Sequence, residues 1–395
     1  MPRITAFELH AVELPFRSPF RHAAAERRSS ESLFLRCSLD DGSVGYGESL
    51  PRVYVTGETR DAAFDLLAER VLGRLVGASF HCLEEVEKFL AVCDGRPPVE
   101  WVAAEEPSTA AWCAVDLALL DAFARSFHTE VDFGGGPIRV PYSAVVSADV
   151  SPRFFWTLIK VRLYGFSAVK LKVDADGGEV AVARARRILP KRCDIRVDAN
   201  MCWNRQNAPS FMSRLSRYGV RSFEQPLSAD DLDGLAELVA TTRLGVMADE
   251  SMADRDSLRA LVERRAATAV NVRISKCGGL VASLRRCVEA RSAGLDVQIG
   301  CQVGESSLLS AAQLVLLAAV DEVVHAEGCF GRHLLRADPV IPLLRFRRRG
   351  AAPRRPDGPG LGVRVDEREL ARWTVRRAVI GAGGREEART APRRA

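Results

Sequence analysis

Five short segments carry polar residues at positions where a strand should be apolar. Lys170 and Lys172 lie in Val-Lys-Leu-Lys-Val, Asp198 and Asn200 in Val-Asp-Ala-Asn, and Glu224 in Phe-Glu-Gln-Pro. Asp249 and Glu250 lie in Ala-Asp-Glu-Ser, and Lys276 in Ser-Lys-Cys-Gly-Gly. The steps Lys172 to Asp198, Asp198 to Glu224, Glu224 to Asp249 and Asp249 to Lys276 are 26, 26, 25 and 27 residues. Burying an isolated charge is costly, so charges recurring at one depth need mutual compensation. Three carboxylates form an oxygen-rich set suited to Mg²⁺, a hard cation that keeps positions open for water or substrate, with Mn²⁺ as an alternative. Lys170 and Lys172 are two apart, so they point to one side of a strand. Two adjacent ammonium groups near a cation should lower each other's pKa and yield a base at neutral pH. Such a set suits removal of the proton next to a carboxylate, with the metal charge stabilising the enediolate. Taken singly, a Lys-x-Lys is usually a solvated edge strand and a strand-end Asp usually a helix cap. The common spacing decides against both.

The elements that hold these residues follow from the periodicity. β-type runs at 166–173, 194–200, 221–227, 244–251, 269–276, 295–301 and 321–327 alternate with amphipathic helices. One such helix has Leu232, Leu235, Ala236 and Val239 on one stripe. Repeated β-α alternation without a Gly-x-Gly-x-x-Gly fingerprint predicts a modified TIM-type (β/α) barrel, whose active-site mouth lies at the C-terminal strand ends. Before Gly134-Gly135-Gly136 the chain reads as strands at 4–13 and 32–47 followed by helices at 59–76, 81–92 and 107–127. The expected organisation is an α+β capping domain over 1–133, a barrel over 134–342, a segment over 343–380 returning to the cap, and a disordered tail over 381–395.

Composition narrows the class. The 395 residues are 47% apolar, with net charge +5. That permits a sizeable core. No apolar run reaches the roughly 20 residues of a membrane span, and no signal peptide is read at the N-terminus, so the expected compartment is the cytoplasm. The Arg-rich stretches such as 345–349 come without any nucleic-acid motif and read as solvated surface. Ten cysteines without paired spacing read as reduced thiols.

The Lys-x-Lys, the Asp198 and Glu224 strand ends, Ala-Asp-Glu-Ser and Lys-Cys-Gly-Gly occur in the order seen in the muconate-lactonizing-enzyme subgroup of the enolase superfamily, which this chain resembles over nearly its whole length. The resemblance implies Asp198, Glu224 and Asp249 as Mg²⁺ ligands and Lys172 and Lys276 as acid/base lysines over the two faces of the substrate. Lys170 would tune Lys172 and touch the substrate carboxylate. Asn200 and Glu250 would support the ligands from behind, and Glu305 would face the pocket. Phe16–Arg28 sits where the family has its first capping loop, and the stretch from Tyr54 to Glu58 resembles the cap's second loop region, so His22 and Tyr54 are specificity candidates. Dipeptide epimerases commonly carry Asp-x-Asp at the eighth strand. His325-Ala326-Glu327 stands there instead, so Glu327 is a cation-binding candidate, and His325 is either an anion-binding residue or a core histidine. The implied function is a Mg²⁺-dependent isomerase, a cycloisomerase or a racemase/epimerase, acting on a small carboxylate. The alternatives are a dipeptide epimerase, an N-acylamino acid racemase, an o-succinylbenzoate synthase-like lyase or, last, an inactive binding protein. The resemblance also implies a homo-oligomer.

Overall fold

The computed structural model describes residues 1–22 and 25–389, and the side chains of these except 19–22, 25, 26 and 389. Strands β1 (Ile4–His22), β2 (Ala25–Leu39) and β3 (Val44–Ser49) begin an antiparallel sheet. The segment Phe16–Arg28, expected as a loop, belongs largely to the β1–β2 hairpin. The two strands pair from Ile4↔Leu39 out to His22↔Ala25, with a register shift between Pro15 and Phe20. The helix Thr109–Ser126 lies across β2 and β3. It is buried from Thr109 to Ala124. That explains its Ala- and Leu-rich composition, since a helix wedged between layers has no solvent face. Gly47 makes the approach feasible: a Cβ there would fall 1.9 Å from the Ala114 carbonyl oxygen.

Eight parallel strands follow: β4 (Ala144–Ser147), β5 (Ala168–Lys172), β6 (Asp194–Asp198), β7 (Ser222–Glu224), β8 (Gly245–Ala248), β9 (Ala269–Val272), β10 (Asp296–Ile299) and β11 (His325–Ala326). They are hydrogen-bonded in sequence order from β4 to β11. A parallel bridge from Tyr142 to Ala326 joins the two edges, so the sheet curls into a barrel. The expected (β/α) barrel under an α+β cap is what the chain forms.

After the barrel strands come β12 (Val340–Ile341), β13 (Arg364–Val365), β14 (Thr374–Gly381) and β15 (Gly384–Arg389). β14 pairs with β1, which ties the C-terminal segment to the cap. The expected disordered tail is corrected in part. From Gly381 the chain makes a tight turn and β15 pairs back on β14, Gly381↔Gly384 through Arg376↔Arg389. Its charged composition, which reads as disorder, suits an exposed edge strand whose charges find partners, as Arg385 does with Glu69 at 3.1 Å. Residues 390–395 lie outside the described residues. All ten cysteines are free. Among the described residues, no helix is long and apolar enough to cross a membrane.

Candidate active site

Strand register fixes the site. Lys172 is the register partner of Asp198, and Asp198 of Glu224. The 26-residue spacing is therefore one strand step at constant height. Alternation along each strand turns Lys170 and Lys172, Arg196 and Asp198, Glu224, Asn271 and Arg273, Gln298, and Glu327 into one hydrogen-bonded interior. Lys170 Nζ donates to both oxygens of Glu224 at 3.0 and 3.2 Å, and lies 2.7 Å from Glu327 Oε2 and 3.4 Å from Asp198 Oδ2. Lys172 Nζ lies 3.2 Å from Asp198 Oδ2 and donates to Asn200 Oδ1 at 3.1 Å. Asn271 Nδ2 donates to Glu224 Oε1 at 2.9 Å. Arg196 donates to Glu327 Oε1 at 2.9 Å and to Ser143 Oγ at 3.0 Å. Gln225 Oε1 accepts from the Asp249 and Ser251 amides and so shapes the turn after β8.

The charges set the protonation states. Burial works to lower the Lys170 pKa, but Glu224, Glu327 and Asp198 outweigh it and hold the ammonium charged well above its ordinary range. The mutual lowering expected from the sequence thus fails for Lys170, because three carboxylates surround it. Burial would raise Glu224, yet Lys170, Arg196 and Arg273 hold it well below the usual carboxylate range. Glu250 is pushed up to about 7 by burial and by the charges of Asp198 and Glu224.

A cavity of about 230 Å³ opens at the C-terminal strand ends, lined by Val145, Lys170, Lys172, Arg273, Gln302, Glu305, Glu327, Phe330 and His333 among others. Lys172, with 16% of its side chain exposed, is the accessible lysine; Lys170 has 3% and Lys276 none. Glu305 is where the sequence predicts it, its Oε1 accepting from the Gln302 amide at 2.6 Å, and burial raises it to about 8. Glu327 also lines the cavity, already committed to Lys170 and Arg196.

Three candidates fall elsewhere. Lys276 does not reach the cavity. β9 ends at Val272 and a helical turn, Ile274–Cys277, follows. Lys276 therefore sits past the strand end, fully buried, its Nζ donating to Asp249 O at 2.7 Å, Asp249 Oδ1 at 2.8 Å and Asn271 O at 2.7 Å. Burial pushes its ammonium down to about 7. Arg273 holds the cavity wall that Lys276 was expected to hold. His325 points to the opposite end of the barrel, its Nε2 lying 3.5 Å from Asp194 at the start of β6. Burial and the nearby Arg196 drop its pKa to about 3, and it is not among the cavity-lining residues. Tyr54, on the short helix Val53–Thr56, lies under the Arg27 guanidinium at 5.6 Å and is not among the cavity-lining residues. The side chain of His22 lies outside the described residues. Arg273, Gln302 and His333 escaped the sequence reading. Arg273 was findable, since it follows Asn271 by two and so shares its inward face.

The donor chemistry fits a hard cation. Asp198 Oδ2, Asp249 Oδ2 and Glu250 Oε2 are buried and accept no well-formed hydrogen bond. Among the described residues, no three acidic, imidazole or thiol groups already converge as a cage. The Lys170 ammonium stands between Asp198 and Glu224, and the Arg273 guanidinium presses on Asp249 with Glu224 3.9 Å away.

A capped (β/α) barrel with lysines and carboxylates at its mouth defines a class of barrel enzyme. Residues 158–369 match the enolase C-terminal domain-like family, and the chain belongs to it. It is 25% identical to the N-succinyl-L-Arg/Lys racemase of Bacillus cereus over 96% of this chain and 100% of that one. In fold it matches the dipeptide epimerase of Cytophaga hutchinsonii, solved with Mg and the dipeptide D-Ala-L-Val, at TM-score 0.82 and 22% identity over 96% and 100% of the two chains. It likewise matches the muconate lactonizing enzyme of Pseudomonas fluorescens, solved with muconolactone, at TM-score 0.83 and 23% identity over 94% and 99%. These relatives are isomerases of the enolase superfamily.

Proposed function

We propose that this enzyme removes the proton α to the carboxylate of a small substrate, with Lys172 as the base. The observation that carries the reading is the position of Lys172: it is the more exposed of the two lysines that line the cavity, one strand step from Asp198. Asp198, Glu224 and Asp249 would hold Mg²⁺, or Mn²⁺ in its place, and the bound ion supplies positive charge that stabilises an enediolate. The chain's own residues do the rest. Lys172 takes the proton at Nζ. Asn200, accepting from that Nζ, aims it. Lys170 stays charged and offsets the carboxylates around it. Phe330 and Val145 give the cavity apolar wall that excludes water from the reacting carbon.

The product is that of a cycloisomerase, a reading supported by one exposed lysine, Lys172, on one face of the cavity. Racemisation or epimerisation of an N-acylamino acid or dipeptide is the second reading, favoured by the full-length likeness to an N-succinyl-amino acid racemase. Elimination of the o-succinylbenzoate synthase type shares the same first step. The protein is expected to act as a homo-oligomer. Two measurements test the reading. Mg²⁺ should raise the melting temperature of wild type and not of Asp198→Asn, since only a native-state ligand stabilises. α-Proton exchange in D₂O should appear with at least one of a panel of N-succinylamino acids, dipeptides and muconolactone, and should cease on chelation. No melting shift with Mg²⁺ and no exchange across the panel would dispose of the proposal.

A further inference from the structure

The two walls of the cavity carry different cations, and the difference limits the chemistry. Lys172 stands on the β5 wall. Arg273, at the end of β9, stands on the other. A guanidinium keeps its proton far above neutral pH and presents its donors in a fixed fork matched to carboxylate oxygens. Arg273 uses part of that fork: Nη1 donates to Gln302 Oε1 at 3.2 Å and Nη2 lies against Asp249. Its Nε–H has no acceptor, and neither has the Nε2 amide of Gln302. Both residues line the cavity, at 7% and 2% exposure. Neighbouring buried donors without acceptors are costly to keep. Their natural complement is an oxygen-bearing ligand.

Nothing else on that wall is a ready proton acceptor. Lys276 is sealed away behind three acceptors of its own. Glu327 is held by Lys170 and Arg196. Glu305 accepts at one oxygen from the Gln302 backbone amide, and burial holds its carboxyl toward the protonated form.

We propose that Arg273 and Gln302 form a fixed anion-holding wall opposite Lys172, so that the enzyme takes a substrate with a second carboxylate or acyl-oxygen group and moves its α-proton on one face only. This rests on the reading of Lys172 as the base. In the step, the α C–H bond breaks, the Lys172 amine becomes an ammonium, and the electron pair passes into the substrate carboxylate. The pair then takes back a proton, or a deuteron that Lys172 has acquired from solvent, on the same face with retention. Alternatively it expels an oxygen from the neighbouring carbon, breaking that C–O bond. Inversion would require a second base on the Arg273 side, so one-base isomerisation is favoured over racemisation.

The test uses the Mg²⁺-loaded protein with N-succinyl-L-arginine and muconolactone as probes. Calorimetry reads binding, and NMR in D₂O with chiral chromatography reads exchange and configuration. Wild type should bind N-succinyl-L-arginine. Arg273→Gln and Gln302→Leu should each weaken binding about tenfold or more, the scale of a charge-assisted hydrogen bond, while Lys172→Ala binds it but does not exchange. Deuterium should enter with retention, or with C–O cleavage, and Arg273→Lys should begin to invert configuration. Gln302→Leu leaves the Arg273–Asp249 pair intact and carries the test should Arg273→Gln not fold. Absent wild-type binding, unchanged binding in both wall variants, or inversion by wild type as fast as deuterium entry overturns the proposal. Inversion abolished by Glu305→Gln overturns it too, by naming a second base. Binding that depends on Arg273 without any exchange overturns the Lys172 reading and leaves the anion wall standing.

Discussion

At the scale of single residues, position relative to a strand end decides role. Lys172 and Lys276 are both lysines near carboxylates, yet one meets the cavity and the other is a strut. Lys276 satisfies two backbone carbonyls as well as Asp249, so removing it leaves buried acceptors unpaired. Lys276→Met should cost about 3 kcal/mol of stability, measurable by urea denaturation, and should leave the stereochemical course of the reaction unchanged. A loss of configuration control with no loss of stability would mean that Lys276 reaches substrate after all. The even spacing of Lys172, Asp198 and Glu224 was legible in the sequence because each step is one β/α unit at constant register. The step from Asp249 misled, because the conspicuous Lys-Cys-Gly-Gly lies on the helical turn Ile274–Cys277 beyond β9. Arg273 was legible from its inward position two residues after Asn271, but the conspicuous Lys276 three residues further on drew the reading past it.

At the scale of elements, the Gly278-Gly279 pair is a contact between barrel and cap. A Cβ on Gly279, at φ 118°, would fall 2.2 Å from Asp116 Cγ. Asp116, on the buried helix Thr109–Ser126, accepts from the Leu280 amide at 2.7 Å and so caps the helix Leu280–Ser292. Gly279→Ala meets both a forbidden backbone region and a clash, and should destabilise by about 2 kcal/mol or more. A melting temperature within a degree of wild type would contradict this close approach. The sequence shows the glycines as a turn. Their reason lies in a helix more than 150 residues earlier, and such long-range contacts leave no local periodicity. The same limit explains β15, whose charged, glycine-bearing sequence reads as a tail until β14 offers it a partner.

At the scale of the molecule, the cap is pinned to the barrel by carboxylates taken out of water. Glu48 on β3 accepts from the Ser306 amide at 3.1 Å and from the Ser306 hydroxyl at 2.5 Å, at the start of the helix Ser307–Ala319. Burial raises Glu48 to about 8 and Asp116 to about 7. Glu58, which accepts from the Ala110 and Ala111 amides, is raised to about 7, again by burial. A carboxyl whose folded pKa exceeds its unfolded value binds more protons when folded, so stability falls as pH rises between the two values. The melting temperature should therefore decline from about pH 5 to about pH 8, and Glu48→Gln should flatten that slope. A melting temperature that rises across this window would show these carboxylates to be ionised in the fold. The capped barrel itself was legible from β-α alternation, while the hairpin reach of β1 and β2 was not, since the periodicity past Phe16 breaks at the register shift.

The central claim is that Lys172 is the base that moves an α-proton. Its most direct test is the rate of deuterium entry into a turned-over substrate, followed by NMR for wild type and Lys172→Ala under saturating Mg²⁺. A general base contributes on the order of 10³-fold, so the variant should lose about that much while keeping its fold and its substrate affinity. Exchange in Lys172→Ala within a few-fold of wild type would contradict the account.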